Sequence, residues 1–189
     1  MKIDITTLNE YESKGLVKSQ KHPQADLIIW NYTQEVQFNP SFWDDVTKMC
    51  RGLITDSFGN VIERPFNKFF NHSDNYRAEI GEDFEPDFED AIIQEKLDGS
   101  MGILYWLNGK PFIASRGSFT SDQAVEGTKM VQDSWSYYQR QQSNMHPRSC
   151  QVFDNAGLTH VFEIIYPENR IVVDYWGDRN LVYLCSIDR

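Results

Sequence analysis

Short runs of apolar residues, separated by turn residues, give this chain most of its predicted secondary structure. Alternation of apolar and polar positions is typical of half-buried β-strands, and such a run first becomes convincing at residues 26–32. Two hairpins are predicted, one turned by residues 57–59 and one by Asn108 and Gly109. The predicted strands are 26–32, 49–56, 60–64, 91–94, 101–107, 112–115, 160–166 and 181–187.

Two segments carry a helical pattern instead. Residues 7–15 predict a short helix, and residues 121–142 predict one long amphipathic helix with Ser121 or Thr120 as its N-cap. The long helix would bury one face against a sheet. Many short strands and one long helix predict an α+β fold of mainly antiparallel sheets with the helix packed on them. The apolar face of that helix consists of Ala124, Thr128, Val131, Trp135 and Tyr138.

Composition and charge narrow the classes of protein that fit. The 189 residues suffice for one domain with a hydrophobic core, so we expect a single domain over 1–189. A formal net charge of -10 argues against broad, nonspecific adhesion to nucleic acid, although it leaves room for a local cationic site. No apolar run approaches a membrane span and the N-terminus lacks a signal-peptide core. We therefore expect a cytoplasmic protein without membrane contact.

Cysteine spacing and the distribution of acidic residues exclude two kinds of site. Cys50, Cys150 and Cys185 are far apart and form no Cys-x-x-Cys pair, so neither a disulfide framework nor a zinc site is indicated. Much of the acid lies in residues 79–90, a stretch that contains Gly81. We interpret that stretch as a solvated linker, not as a metal site.

Lys96 is the strongest candidate for covalent chemistry. It follows the predicted strand 91–94 and precedes a turn made of Asp98, Gly99 and Ser100. A lysine held at a strand end and crowded by other cations can have its pKa lowered, which makes its amine a nucleophile. The Lys-x-Asp-Gly-Ser pattern resembles the nucleotide-attachment motif of the covalent nucleotidyltransferases, which comprise ligases and mRNA capping enzymes. By itself the pattern also fits an Asp-Gly turn beside a solvated lysine.

Other candidate site residues lie at a strand entry or in apolar surroundings. Arg51 begins a predicted strand, and Lys68 stands beside two bulky aromatic residues. Glu163 is a carboxylate inside an apolar strand. It therefore either has a cation, a metal, a ribose hydroxyl or an internal salt bridge as partner, or lies on the open face of the sheet. Trp30 and Tyr32 share one strand face, where they would either line a nucleotide pocket or belong to the core.

Five blocks of sequence, taken in order, resemble the motifs of the T4 RNA ligase 1 family. The resemblance covers residues 28–175 and implies an enzyme of RNA repair that joins a 5'-phosphate RNA end to a 3'-hydroxyl end through lysyl-AMP. It implies ATP and Mg²⁺ as cofactors and RNA ends, broken tRNA among them, as partners. The blocks are Cys50-Arg51-Gly52, Arg64-Pro65 with Lys68-Phe69-Phe70-Asn71, Lys96-Leu97-Asp98-Gly99-Ser100, Ser115-Arg116-Gly117-Ser118, and Phe162-Glu163 with Asn169-Arg170-Ile171-Val172.

The resemblance assigns roles on the phosphate side to four basic residues. Lys96 resembles the nucleophile that becomes adenylated. Arg51 and Lys68 resemble residues that contact the ATP phosphates, and Arg116 occupies a position where a basic residue is usual. Cations around the nucleophile would neutralise phosphate charge.

The resemblance places the remaining candidate residues near the ribose and the base of the nucleotide. Glu163 resembles the carboxylate near the ribose and the divalent metal, so it is also the candidate metal ligand. Trp30 or Tyr32 falls where an aromatic residue approaches the nucleotide. Asp98 and Gly99 belong to the attachment motif and are expected to bind the nucleotide.

The sequence departs from the family pattern after residue 175. The family has a further glutamate-containing strand and a paired-lysine strand, and neither is found up to Arg189. We therefore expect either a fragment of a longer ligase or a short protein whose activity is reduced or lost. Two alternatives to RNA ligation stay open. One is a nucleotide- or RNA-end-binding domain without turnover, and the other is a covalent nucleotidyltransferase of the DNA ligase or capping type.

Overall fold

Two antiparallel four-stranded sheets form the centre of the protein, which confirms the predicted α+β class. The computed structural model describes residues 1–71, 92–141 and 157–189. The first sheet has the order β1-β2-β3-β4, made of β1 (Val17–Lys21), β2 (Ile28–Tyr32), β3 (Arg51–Thr55) and β4 (Val61–Glu63). The second sheet has the order β6-β5-β7-β8, made of β5 (Ser100–Leu107), β6 (Lys110–Ser115), β7 (Leu158–Ile165) and β8 (Asn180–Asp188).

Helices cover the outer faces of the sheets. The long helix predicted at 121–142 is α4, and the short one predicted at 7–15 is α1, which Asp4 caps by accepting a hydrogen bond from the Thr6 N–H. In the described residues no helix combines the length and the apolarity needed to cross a bilayer. The helices of the described residues are α1 (Ile5–Ser13), α2 (Gln34–Phe38), α3 (Asp45–Met49) and α4 (Asp122–Gln141), with 3-10 turns at Pro40–Phe42 and Pro167–Asn169.

The hydrophobic core is divided among three interfaces. Between the sheets, Ile54 of the first sheet belongs to one buried cluster with Ile103 and Tyr105 of the second. On the far side of the second sheet, Val131 of α4 packs with Ile164. On the far side of the first sheet, a third cluster contains Leu8, Val17, Trp30, Cys50 and Leu53. The layers therefore run helices, sheet, sheet, helix, and the space between the sheets is accessible where this core ends.

A buried polar cluster ties the two sheets together at one end. Glu63, at the end of β4, is 1% exposed, and its Oε2 accepts a hydrogen bond of 2.8 Å from Thr159 Oγ1 on β7. The Nε atom of Arg189 lies 3.5 Å from the same oxygen. Burial raises the pKa of Glu63 to about 8, while Arg189 and Thr159 act in the opposite direction. We call Glu63, Thr159 and Arg189 the staple.

The strand predicted at 91–94 is wrong over its described part. Residues 92–94 have no regular structure, and Ile92 and Ile93 are 86% and 95% exposed. The physical reason is that β5 already pairs with β6 on one side and with β7 on the other, so no free edge is available. Ala91, the acidic segment 79–90 and Cys150 lie outside the described residues.

Candidate active site

A cleft of about 1140 Å³ opens between the two sheets and brings most of the predicted site residues together. The second sheet supplies its floor, where Glu163 of β7 is the register partner of Met101 on β5 and of Val182 on β8. Residues directly opposite each other share a face of the sheet, so all three face the cleft. The charged and polar residues that line it include Lys18, Asn31, Arg51, Lys96, Arg116 and Glu163.

Lys96 is followed three residues later by Gly99, whose backbone packs closely against Glu163 and Ile164 of β7. Lys96 is exposed to the cleft in the irregular segment that leads into β5. Gly99 donates its backbone N–H to the Glu163 carboxylate. A Cβ atom at Gly99 would lie 2.5 Å from the Ile164 carbonyl oxygen, so only glycine permits this approach. Burial raises the pKa of Glu163, and the Gly99 hydrogen bond and the positive charges of Lys96 and Arg51 oppose that shift.

Asp98 holds the Lys96 segment in place without lining the cleft. Its Oδ2 accepts hydrogen bonds from the backbone N–H groups of Val172 (2.6 Å) and Val173 (2.7 Å). Its own N–H donates to the Tyr175 hydroxyl at 2.7 Å. These two backbone hydrogen bonds lower the pKa of Asp98. Asp98 therefore connects the Lys96 segment to the loop after β7.

Asn169 fixes the first residue of β5 from the same loop. Its Nδ2 donates to Ser100 Oγ at 3.0 Å and to the Ile164 carbonyl oxygen at 3.1 Å. Gln123, at the start of α4, donates to Asn169 Oδ1 at 3.3 Å. Asn169 thus positions the start of β5.

Arg51 lines the cleft at the beginning of β3, where the strand is irregular. The β2–β3 register shifts at Trp30 and Asn31, and Gly52 has a φ of +94°. A Cβ atom at Gly52 would lie 2.5 Å from Ile103 Cδ1. Desolvation lowers the pKa of Arg51, an effect that the nearby Tyr32 opposes. The guanidinium also stacks 5.0 Å from the centroid of the Phe69 ring.

Tyr32 and Trp30 do not line the cleft, and they differ in how they relate to it. Tyr32 is 4% exposed and accepts a hydrogen bond of 3.1 Å from Arg116, whose guanidinium lies 5.2 Å from the ring centroid. Tyr32 therefore positions Arg116. Trp30 is 1% exposed and donates its indole N–H to Thr55 Oγ1 at 3.0 Å within the core. The residue between them, Asn31, occupies the cleft face instead, because neighbouring residues of a strand point to opposite faces.

Lys68, like Asp98, Tyr32 and Trp30, is a predicted site residue that does not line the cleft. Its ammonium lies 4.2 Å from the centroid of the Phe70 ring and 5.8 Å from that of Trp43, and it donates to the Phe69 carbonyl oxygen at 2.6 Å. Phe69 itself lines the cleft. Lys68 thus borders the cleft wall and contacts aromatic rings there.

Two cleft residues, Asn31 and Lys18, are not among the site residues predicted from the sequence. Asn31 is 5% exposed, and its Oδ1 is buried with no hydrogen-bond partner among the described residues. Lys18 lies on β1 and is exposed. Strand alternation around Trp30 and Tyr32 could have indicated that Asn31 faces the other way. Nothing in the sequence singles out Lys18 among the 18 basic residues.

Sequence relatives of the chain carry RNA ligase names. It is 30% identical over 180 residues to a protein of Autographa californica nuclear polyhedrosis virus provisionally named a bifunctional polynucleotide kinase/RNA ligase. It is 27% identical over 206 residues to an RNA ligase of Rhodothermus phage RM378. The matches cover 92% and 90% of this chain but only 26% and 45% of those relatives. A family model described as RNA ligase, of the T4 RNA ligase 1 type, matches residues 49–189, so the chain belongs to this RNA ligase family.

Proposed function

We propose that this chain carries the nucleotidyl-transfer chemistry of an ATP-dependent RNA ligase, with Lys96 as the residue that becomes adenylated. The observation that supports this most is the convergence of Lys96, Arg51, Arg116 and Glu163 on one cleft. These residues come from four different parts of the fold, namely the segment before β5, the start of β3, the turn after β6, and β7. Membership of the RNA ligase family supplies the reaction class.

In the first step, the neutral amine of Lys96 would attack the α-phosphorus of ATP. The N–P bond forms as the bond between the α-phosphorus and the bridging oxygen breaks, and pyrophosphate leaves with that bonding pair. As the phosphoramidate forms, the nitrogen releases one proton to solvent, which reaches the exposed side chain. Arg51 and Arg116 would neutralise the charge on the phosphates, which is the main contribution a protein makes to phosphoryl transfer.

Two further steps would complete ligation. An oxygen of the RNA 5'-phosphate attacks the phosphorus of lysyl-AMP, which transfers AMP to the RNA end and returns Lys96 as a free amine. The 3'-hydroxyl of the second RNA end then attacks the activated 5'-phosphate, and AMP leaves with the bonding pair of the broken anhydride. Broken RNA, tRNA included, is the substrate class that this reaction would repair.

Glu163 fits as one ligand of Mg²⁺. This ion usually takes one or two carboxylates and completes its shell with substrate phosphates and water, so the described residues need not supply a full set. They contain no group of three or more His, Cys, Asp or Glu side chains that could hold a metal. When bound, the ion would add positive charge beside the phosphates. Glu163 would orient the ribose and the ion relative to Lys96.

Intact-mass spectrometry after incubation with ATP and Mg²⁺ tests the proposal directly. We expect the parent chain to gain the mass of one AMP, and Lys96→Ala to gain none, because the variant lacks the attacking amine. Lys110→Ala, which removes an exposed lysine in the β5–β6 hairpin, is the matched control and should become adenylated like the parent. Equal adenylation of the Lys96 variant and the parent would contradict the assignment of the nucleophile.

A nucleotide- or RNA-end-binding domain without turnover is the second candidate. The observation in its favour is that Lys68, expected on the ATP phosphates, contacts aromatic rings beside the cleft. ATP binding by the parent chain without any mass gain would support this candidate over the ligase. A DNA ligase or capping activity is separated by two comparisons, of RNA with nicked DNA as substrate and of ATP with GTP as nucleotide.

A further inference from the structure

Lys18, Asn31 and Arg51 form a row across the first sheet. Lys18 on β1 is the register partner of Asn31 on β2, and Asn31 is the partner of Arg51 on β3. Directly opposite residues of antiparallel strands share a face, and neighbouring strands lie about 4.8 Å apart. The row therefore spans about 10 Å, from the outer edge of the sheet to the centre of the cleft. All three side chains line the cleft, and we call them the β1–β3 row.

The middle residue of the row has hydrogen-bonding capacity that the fold does not use. Asn31 is 5% exposed, and its Oδ1 is buried without a hydrogen-bond partner among the described residues. Burying such an atom costs free energy that packing alone does not repay. A Cβ atom at Gly117 would lie only 3.3 Å from Asn31 Nδ2, so the glycine leaves the amide uncovered on that side. These features are those of a ligand-contacting amide.

Cations flank this amide on both sides. Lys18 is exposed, and in the described part of the chain no carboxylate lies within ion-pair distance of it. On the other side stand Arg51 and Arg116, whose charges act on each other. A concentration of positive charge on a chain of net charge -10 favours an anionic ligand at this place. The order cation, amide, cation matches the order phosphate, ribose, phosphate along a nucleic acid strand.

We propose that the β1–β3 row is a subsite for single-stranded RNA beside the nucleotide cleft. Asn31 contacts a ribose 2'-hydroxyl, which can both donate to and accept from an amide, and Lys18 binds the neighbouring phosphate. The subsite rests on the proposed function, because it would lead an RNA end toward Lys96. It assigns the preference for RNA over DNA to Asn31 and a sequence-independent contribution to Lys18.

Fluorescence anisotropy with a 5'-phosphorylated, 3'-labelled RNA oligonucleotide and the DNA of the same sequence tests the subsite. Lys18→Ala should weaken RNA and DNA binding alike and reduce the salt dependence by about one phosphate contact. Asn31→Ala should weaken RNA binding about tenfold, with DNA binding unchanged, because DNA lacks the 2'-hydroxyl. Lys21→Ala is the matched control, since Lys21 lies on the same strand, is exposed and points to the opposite face.

A second variant separates loss of the amide contact from unfolding as the cause of weaker RNA binding. Gly117→Ala would cover the amide without altering Asn31, and it should also lower the ratio of RNA to DNA affinity. Thermal melting of each variant verifies that it is folded. Two results would each overturn the proposal, namely an unchanged RNA-to-DNA ratio in the folded Gly117 and Asn31 variants, or equal effects of the Lys18 and Lys21 variants.

The lysyl-AMP assay on the same preparations separates this inference from the proposed function. If lysyl-AMP forms but RNA binding is unchanged by substitution of Lys18 and Asn31, the subsite alone is overturned. RNA binding that depends on both residues, without any lysyl-AMP, supports the subsite and contradicts the proposed function.

Discussion

Asp98 belongs to the attachment motif, and its single side chain holds two segments of the backbone together. Its carboxylate receives two backbone N–H groups of the loop after β7, and it stands two residues from Lys96. Because these hydrogen bonds lower its pKa, the carboxylate stays ionised to a lower pH than a free aspartate. The tie between the two segments is thus complete above the ordinary pKa of aspartate, and it is lost as the pH falls through the lowered value.

We predict that Asp98→Ala slows the formation of lysyl-AMP by about tenfold or more, since small displacements of a nucleophile cost large factors in rate. The measurement is the single-turnover rate of AMP incorporation with saturating ATP. Asp133→Ala removes the same charge from an exposed position on α4 and should leave the rate unchanged. A rate in the Asp98 variant equal to that of the parent would show that the tie does not position Lys96.

The site residues that could be predicted from the sequence are those that belong to recognisable sequence motifs. Lys96, Arg51, Arg116 and Glu163 stand in recognisable blocks, and all four line the cleft. Asn31 could not be recognised in this way, because its significance comes from a missing partner and from its neighbours on adjacent strands. Both are properties of the folded protein, and a sequence pattern does not display them.

Among the secondary-structure elements, β3 requires a glycine at position 52 for two separate reasons. Gly52 has a φ of +94°, and a Cβ atom there would also meet Ile103 Cδ1 at 2.5 Å. We predict that Gly52→Ala lowers the free energy of unfolding by about 2–4 kcal/mol, as measured in urea. Gly109 has a φ of +73° with no atom within 4 Å of a Cβ, so Gly109→Ala should cost only about 1 kcal/mol.

A double-mutant cycle separates the two requirements at Gly52. Ile103→Val removes the Cδ1 atom that the new Cβ would meet, so it should recover part of the loss in the Gly52 variant. Strict additivity of the two substitutions would indicate that the contact with Ile103 Cδ1 contributes nothing to the cost.

The elements that the sequence predicted well are those with strong apolar runs or helical periodicity, such as β5 and α4. β1 was missed because its sequence, Val17–Lys21, is polar except for the first residue, as an edge strand allows. Conversely, the apolar residues at 92 and 93 were predicted as a strand, although β5 has no free edge to pair with them. Pairing partners, which decide both cases, are set by the tertiary structure.

For the whole molecule, the staple makes stability depend on pH. Its Glu63 has a pKa raised to about 8 by burial, so the folded protein binds a proton that the unfolded chain releases above the ordinary carboxyl pKa. The contribution of Glu63 to stability is therefore greatest below that ordinary value and falls as the pH rises toward about 8. We predict that the Tm of the parent falls over this interval, by roughly 5 °C or more, and that the Tm of Glu63→Gln changes less.

Thermal melting from acid to mildly alkaline pH measures this effect. Glu35→Gln, at an exposed position of α2, removes the same charge and should follow the parent curve. Parallel curves for the Glu63 variant and the parent would show that the buried carboxyl does not govern the pH dependence.

The staple lies at a distance from the cleft, so a small rotation about the staple would produce a larger displacement at the cleft. Thr159 of the staple and Glu163 of the cleft lie on the same strand and the same face, four residues and about 13 Å apart. If the first sheet rotated about the staple by about 5°, the separation of Arg51 and Glu163 would change by about 1 Å. A displacement of that size is enough to alter a phosphoryl-transfer rate by about a hundredfold. Substitutions at the staple should therefore change the rate of the proposed lysyl-AMP formation from a distance, without replacing any residue that lines the cleft.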